Sequence, residues 1–330
     1  MLSVSEFPVE DDLGEPLVIG LVNNMPDAAL RATERQFHDL LTASSPNRRV
    51  RLRYFSLAEV FRGEAAQSHI NRHYENPGEL WAGGCDGLIV TGTEPRASRL
   101  EDEPYWTALT KLADWADGHT ISTVWSCLAA HAAVLHLDGI VRRPLPRKLC
   151  GVFDCVKSAE KEILAELPSR WSVPHSRHNG LPEDQLAERG YQIISRSDET
   201  GADSFVMQRN SLFVFFQGHP EYGPDALLRE YRRDAGRFLA GERSDYPEMP
   251  QGYFNAEAVG ILSAFRDRAL SDRKPGLIEH FPIAGLEGKH SYAWREPALR
   301  IYSNWIEYLA TRKYRSRNNG VDEPLHQAQK

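Results

Sequence analysis

Apolar positions in this chain fall into short, separated blocks, and the spacing inside each block predicts its element. Residues 16–22 are a continuous, β-branched run of the kind that marks a strand buried on both faces. A turn over 23–27 follows, and 28–43 reads as a helix. In 49–55, Val50, Leu52 and Tyr54 alternate with arginines, the period of a second strand. Residues 87–90 predict a third strand, followed by a loop over 91–103. Trp106, Leu109, Leu112 and Trp115 stand at helical spacing within 105–117. A fourth strand over 120–125 leads straight into an Ala-rich helix, 128–137, closed by Asp138-Gly139. The second half predicts strands at 151–156, 191–196, 204–208 and 212–217. Helices are expected at 225–239, 254–269 and 298–312.

Alternation of short apolar strands with amphipathic helices argues for an α/β fold: a mostly parallel open sheet with helices on both faces. Residues 16–240 are expected to form this catalytic domain. A linker-like stretch, 241–250, opens a C-terminal extension over 241–314 that packs on the core. Residues 1–15 and 315–330 read as polar tails. No repeat or low-complexity tract interrupts the chain.

Composition narrows the class. At 330 residues the chain is long enough for one large domain with appendages. A formal net charge of -7 disfavours a general nucleic-acid binder, yet leaves room for a local basic pocket. The longest strongly apolar run, 212–216, is far shorter than the roughly 20 residues of a membrane span. Residues 1–14 are acidic and lack the layout of a signal peptide. The four cysteines, at 85, 127, 150 and 155, form neither a disulfide framework nor a CxxC pair. A reduced, cytoplasmic setting with free thiols is the expectation.

Ligands of an open α/β sheet bind beyond the carboxyl ends of its strands, and three segments there carry candidate chemistry. The first is Cys127, at a tight strand-to-helix turn. A helix N-terminus favours a thiolate and offers N–H groups to an oxyanion, whereas the plainer reading is a buried structural cysteine. The second is Gly218-His219-Pro220-Glu221-Tyr222, where an apolar strand delivers a histidine and, two residues on, a carboxylate. His219 can take a thiol proton while Glu221 orients the ring. The third is Pro174-His175-Ser176-Arg177-His178-Asn179, a polar pocket wall. Its histidines, three apart, also permit a metal site, but with no clear third ligand nearby no metal is expected.

With Asn24-Met25-Pro26, Val90-Thr91-Gly92, Tyr105-Trp106 and Lys148-Leu149-Cys150-Gly151-Val152-Phe153 added to these segments, the chain resembles the homoserine O-acyltransferases of methionine biosynthesis. This is the succinyltransferase family, built on a class I glutamine-amidotransferase-like fold. Arg233-Asp234 and Asn304-Trp305 also fit, and the likeness runs from about residue 16 to 308.

The resemblance implies ping-pong transfer through an acyl-Cys127, with His219 and Glu221 completing the catalytic set. Leu128 and Gly92 would form the oxyanion hole, and Lys148, Ser176 and Arg233 would bind substrate. Succinyl-CoA or acetyl-CoA would be the co-substrate, no permanent cofactor is implied, and a homodimer is the suggested association.

Two departures stand out. The family usually has an aromatic residue after the nucleophile, and here Leu128 follows. The position of acyl selection falls on Arg96, neither the small residue of succinyl enzymes nor the glutamate of acetyl enzymes. An arginine there can pair with a succinyl carboxylate, although Glu94 nearby would bring an acid if the register slipped. Residues 131–143 are unusual in charge, so another hydroxy amino acid stays open as acceptor. Glutaminase-type hydrolysis by the same three residues is the rival activity, and a non-catalytic binding protein on the same fold is the other alternative.

Overall fold

The computed structural model describes residues 15–319. The expected tail 1–14 and the end of the C-terminal tail, 320–330, lie outside the described residues.

Five strands form a parallel body: β1 (Leu17–Val22), β2 (Val50–Phe55), β3 (Gly87–Val90), β4 (Ser122–Ser126) and β9 (Leu212–Phe216). Four more extend it as an antiparallel wing: β5 (Arg143–Lys157), β6 (Arg170–Gly180), β7 (Gln192–Ser197) and β8 (Gly201–Gln208). The single nine-stranded sheet runs β2-β1-β3-β4-β9-β8-β7-β5-β6.

Side-chain alternation in the parallel body feeds two cores. Leu88, Val90, Trp125, Phe213 and Phe215 pack on one face against α4 (Trp106–His119) and α5 (Leu128–Asp138). Ile19, Leu21, Ile89, Val124, Val214 and Phe216 pack on the other against α1 (Asp27–Ser44) and α9 (Arg295–Asn319). Fixing α9 in place, Trp305 donates its indole N–H to Ser122 at 2.9 Å, and its ring crosses β3 at Gly87, where a Cβ would lie 3.0 Å away. A third cluster joins α7 (Ala226–Leu239) to α8 (Ala256–Ser271) and Trp294.

Several expectations change. Residues 174–179, expected only as a pocket wall, lie within the long strand β6 (Arg170–Gly180), and its partner β5 starts at Arg143 rather than 151. Short helices α2 (Glu64–His73), α3 (Pro77–Trp81) and α6 (Glu183–Glu188) also appear, and α9 continues beyond 312 to Asn319. The wing curls back on the body, so that Pro174 of β6 accepts the N–H of His219 at 2.8 Å. No helix among the described residues is long and apolar enough to cross a membrane.

Candidate active site

Cys127 sits between β4 and α5 with φ 52° and ψ -113°. Among the described residues, Glu166 is the only other non-glycine with positive φ. Such a backbone costs about 1–3 kcal/mol and persists only where its surroundings enforce it. Here the Cys127 N–H continues the β4–β9 ladder to the Phe216 carbonyl at 2.7 Å. Ala129 and Ala130, both fully buried, let α5 start close against the sheet.

The strand-β3 loop completes this side. A Cβ on Gly92 would lie 2.6 Å from the Leu128 Cβ and 3.1 Å from the Leu128 nitrogen, so only glycine fits over the head of α5. Asn24 holds that loop by donating its N–H to the Thr91 hydroxyl at 2.9 Å. The Asn24 side-chain oxygen in turn accepts from Leu57 N–H at 3.1 Å. Leu128 and Gly92 are therefore adjacent, and the first N–H groups of α5 have no acceptor within the helix.

His219 reaches the sulfur from the end of β9. Its Nδ1 lies 2.8 Å from Glu221 Oε1, and the Tyr222 ring stacks on it at 4.2 Å. Burial alone would lower the imidazole's pKa. The Glu221 carboxylate, the Cys127 sulfur and hydrogen bonds to both outweigh burial and hold it well above the ordinary value. A tautomer with the proton on Nδ1 and Nε2 toward Cys127 follows from those partners. Gly218 is a second obligatory glycine: a Cβ would strike Asp203 Oδ1 and Val173 Cγ1, each at 2.6 Å. Behind it, buried His175 faces Asp203, Nε2 to Oδ1 at 3.3 Å.

The opposite wall comes from the wing and α7. Lys148 Nζ lies 2.9 Å from Asp234 Oδ2 and 3.6 Å from Glu230 Oε2. Arg233 reaches Asp234 Oδ1 at 2.9 Å, and the Ser176 hydroxyl donates to Glu230. Burial would push the Glu230 carboxyl up, but Lys148, Arg233 and the hydroxyls of Ser176 and Tyr222 bring it below its usual value. All of these groups line one cleft of about 470 Å³ together with Cys127, His219 and Glu221.

Not every expected residue converges. Arg96 is exposed, with its guanidinium 4.8 Å over the Phe61 ring, and does not line the cleft. Glu94 does line it, but its carboxylate is held by Arg237 at 2.8 and 3.0 Å. His175 and His178 lie three apart on a strand: His175 is buried beneath the site, and His178 lines the cleft. They do not converge on one ion. A different buried trio, Cys155, His175 and Asp203, brings its donor atoms within 4.8 Å of one another.

Comparison with known proteins decides the family. The model described as homoserine O-succinyltransferase matches residues 5–315. The chain belongs to the homoserine O-succinyltransferase family. It is 49% identical over 296 residues to a protein of that name from Methylorubrum extorquens, covering 90% of this chain and 88% of the relative. Against its counterpart from Rhodopseudomonas palustris the identity is 50% over 293 residues, 89% of this chain and 88% of the other. A glutamine amidotransferase from Thermotoga maritima shares the fold, with TM-score 0.50 and 13% identity over 89% of this chain and 99% of that one.

Within this family member, Glu230 is a cleft residue that sequence reasoning passed over, and Asp234 entered it only as a mark of the resemblance, with no role at the site. They sit in a helix whose charges look solvated. The available signal is spacing: Glu230, Arg233, Asp234 and Arg237 recur at three and four residues, which puts them on one face.

Proposed function

We propose that the chain transfers the succinyl group of succinyl-CoA to the hydroxyl of L-homoserine through an acyl-Cys127 intermediate, as a cytoplasmic step of methionine biosynthesis. The observation that carries this reading is His219 joined on one side to Cys127 and on the other to Glu221, at the mouth of a cleft in a member of this family.

In the first half-reaction His219 accepts the thiol proton and the sulfur attacks the thioester carbonyl. The N–H of Leu128, with a donor from the Gly92 loop, stabilises the oxyanion. Collapse expels CoA as its thiolate, which takes the proton from His219. In the second half, His219 draws the proton from the homoserine hydroxyl as that oxygen attacks the acyl carbon. The sulfur leaves, recovers the proton, and O-succinylhomoserine is released. Lys148, Ser176 and Arg233 hold the amino acid. Their cations are already balanced by Glu230 and Asp234, a setting suited to a zwitterion, whose carboxylate faces the former and whose ammonium faces the latter.

Intact-protein mass after brief exposure to succinyl-CoA or acetyl-CoA tests the reading. One succinyl adduct, absent in Cys127→Ala and discharged by homoserine, is the expected result. An acetyl adduct alone would reverse the donor assignment. With no adduct from either donor the acyltransferase reading fails, and glutamine hydrolysis becomes the activity to assay.

A further inference from the structure

Six Lys and Arg side chains line the cleft, and five of them are engaged by the protein. Lys148 and Arg233 are on Asp234, at 2.9 Å each. Arg237 is on Glu94 at 2.8 Å, and Arg243 donates to the Asp245 carbonyl at 2.6 Å. Arg177 donates to the carbonyls of Asn179 and Thr200. Arg142 is different: among the described residues its guanidinium makes no hydrogen bond or ion pair, although it is half-buried.

Local structure aims it inward. Gly139, left-handed at φ 70°, ends α5, and an extended segment then alternates. Ile140 is buried at 2% exposure, Val141 is out at 60%, and Arg142 turns in again. Burial lowers the pKa of this guanidinium, while Tyr105, Cys127, Glu103 and Glu101 act on it in the opposite sense. Arg142 lines the same cleft as Cys127, Leu128 and His131. A half-buried cation without a hydrogen-bond partner is costly unless an anion completes the pair.

We propose that Arg142 receives the distal carboxylate of the succinyl group and thereby selects the acyl donor. This rests on the acyltransferase reading above. Three carbon–carbon bonds separate the thioester carbon from the distal carboxyl carbon, a reach of roughly 4 Å, so the anion stays close to Cys127. A guanidinium fork grips a carboxylate bidentately. Arg96, turned outward over Phe61, is not placed for this task. The cleft thus divides its labour. Its charge-balanced wall at α7 suits the zwitterionic acceptor, and the guanidinium of Arg142, free of hydrogen bonds, suits an acyl chain that ends in an anion.

The test compares succinyl-CoA with butyryl-CoA, which has the same four-carbon chain but a methyl in place of the carboxylate. Homoserine is the acceptor, and wild type, Arg142→Gln and Arg142→Lys are assayed. In Arg142→Gln the succinyl-over-butyryl preference in kcat/KM should fall roughly 100-fold. Arg142→Lys, which keeps the charge but loses the fork, should fall between it and wild type. A preference that stays within about threefold of wild type in Arg142→Gln, with both donors slowed alike, overturns the proposal. If Arg142→Gln fails to fold, Arg142→Lys decides the matter: an unchanged preference there counts against the fork. Wild-type enzyme that no acyl-CoA can label would instead sink the acyltransferase reading, so the two failures are distinguishable.

Discussion

The parallel body and the antiparallel wing contribute to the same cleft by different physics. On the body's side the functional positions are set by main chain: the strained turn at Cys127, the helix head at Leu128 and the glycine at 92. On the wing's side they are set by charge, with Lys148 and Ser176 locked to Glu230 and Asp234 of α7. A backbone site tolerates almost no change of shape, whereas a charge site is sensitive to any change of balance. On the proposed mechanism the first kind governs the chemical step and the second governs binding.

Substitutions should separate the two. Cys127→Ala is expected to cost the most, about 10⁴-fold or more in kcat, because no acyl-enzyme forms. Retained turnover would show that the body does not carry the nucleophile. Gly92→Ala should lower kcat by about 100-fold with little change in KM for homoserine, since the new methyl forces the loop off the head of α5. A rise in KM alone would erase the distinction between the sides.

Lys148→Met should act the other way. Homoserine KM is expected to rise roughly tenfold or more, since the change leaves buried Asp234 and half-buried Glu230 short of a cation, while single-turnover acylation by the donor persists. Loss of acylation in that variant would mean that the wing serves the chemistry as well.

The smallest effect concerns pH, at the seam between the two. Partners raise the folded-state pKa of His219, so the stability it adds is fully present below the unfolded value of about 6.5 and is lost as pH rises through the folded value. Urea denaturation of wild type and Glu221→Gln should therefore show the largest stability gap at mildly acidic to neutral pH, narrowing in alkali. A gap that widens with pH would reverse the assignment of Glu221 as the partner of an imidazolium.

The same division explains what was legible in the sequence. The body could be read: its strands are short apolar blocks, and Cys127 and His219 stand where two of them end. The wing was legible only in part: the strands expected at 151–156, 191–196 and 204–208 fall on β5, β7 and β8, whereas β6 was missed because it carries Pro174, His175, Ser176, Arg177, His178 and Asn179, with none of the apolar alternation that signals a strand. Its polar inward residues face a curled neighbour and the cleft rather than a hydrocarbon core. Arg96 illustrates a limit of counting along a loop. Its N–H and that of Ala97 are both taken by buried Glu103, which sets the path of the loop and turns the side chain outward. Residues 131–143 stood out in charge, but only the exposed–buried alternation after Gly139 shows that Arg142 faces the cleft.

The hydrogen bond from the Cys127 N–H to the Phe216 carbonyl has a further consequence. It is the last rung between two neighbouring strands, one ending at the sulfur and the other, three residues later, at the imidazole. The spacing of the two main chains that carry the reacting groups is thus set by the interstrand repeat of about 4.8 Å, a length fixed by main-chain bonding and common to all sheets. Such a ruler is independent of the side chains around it, so a substitution in either pocket leaves the main-chain footing of nucleophile and base unchanged.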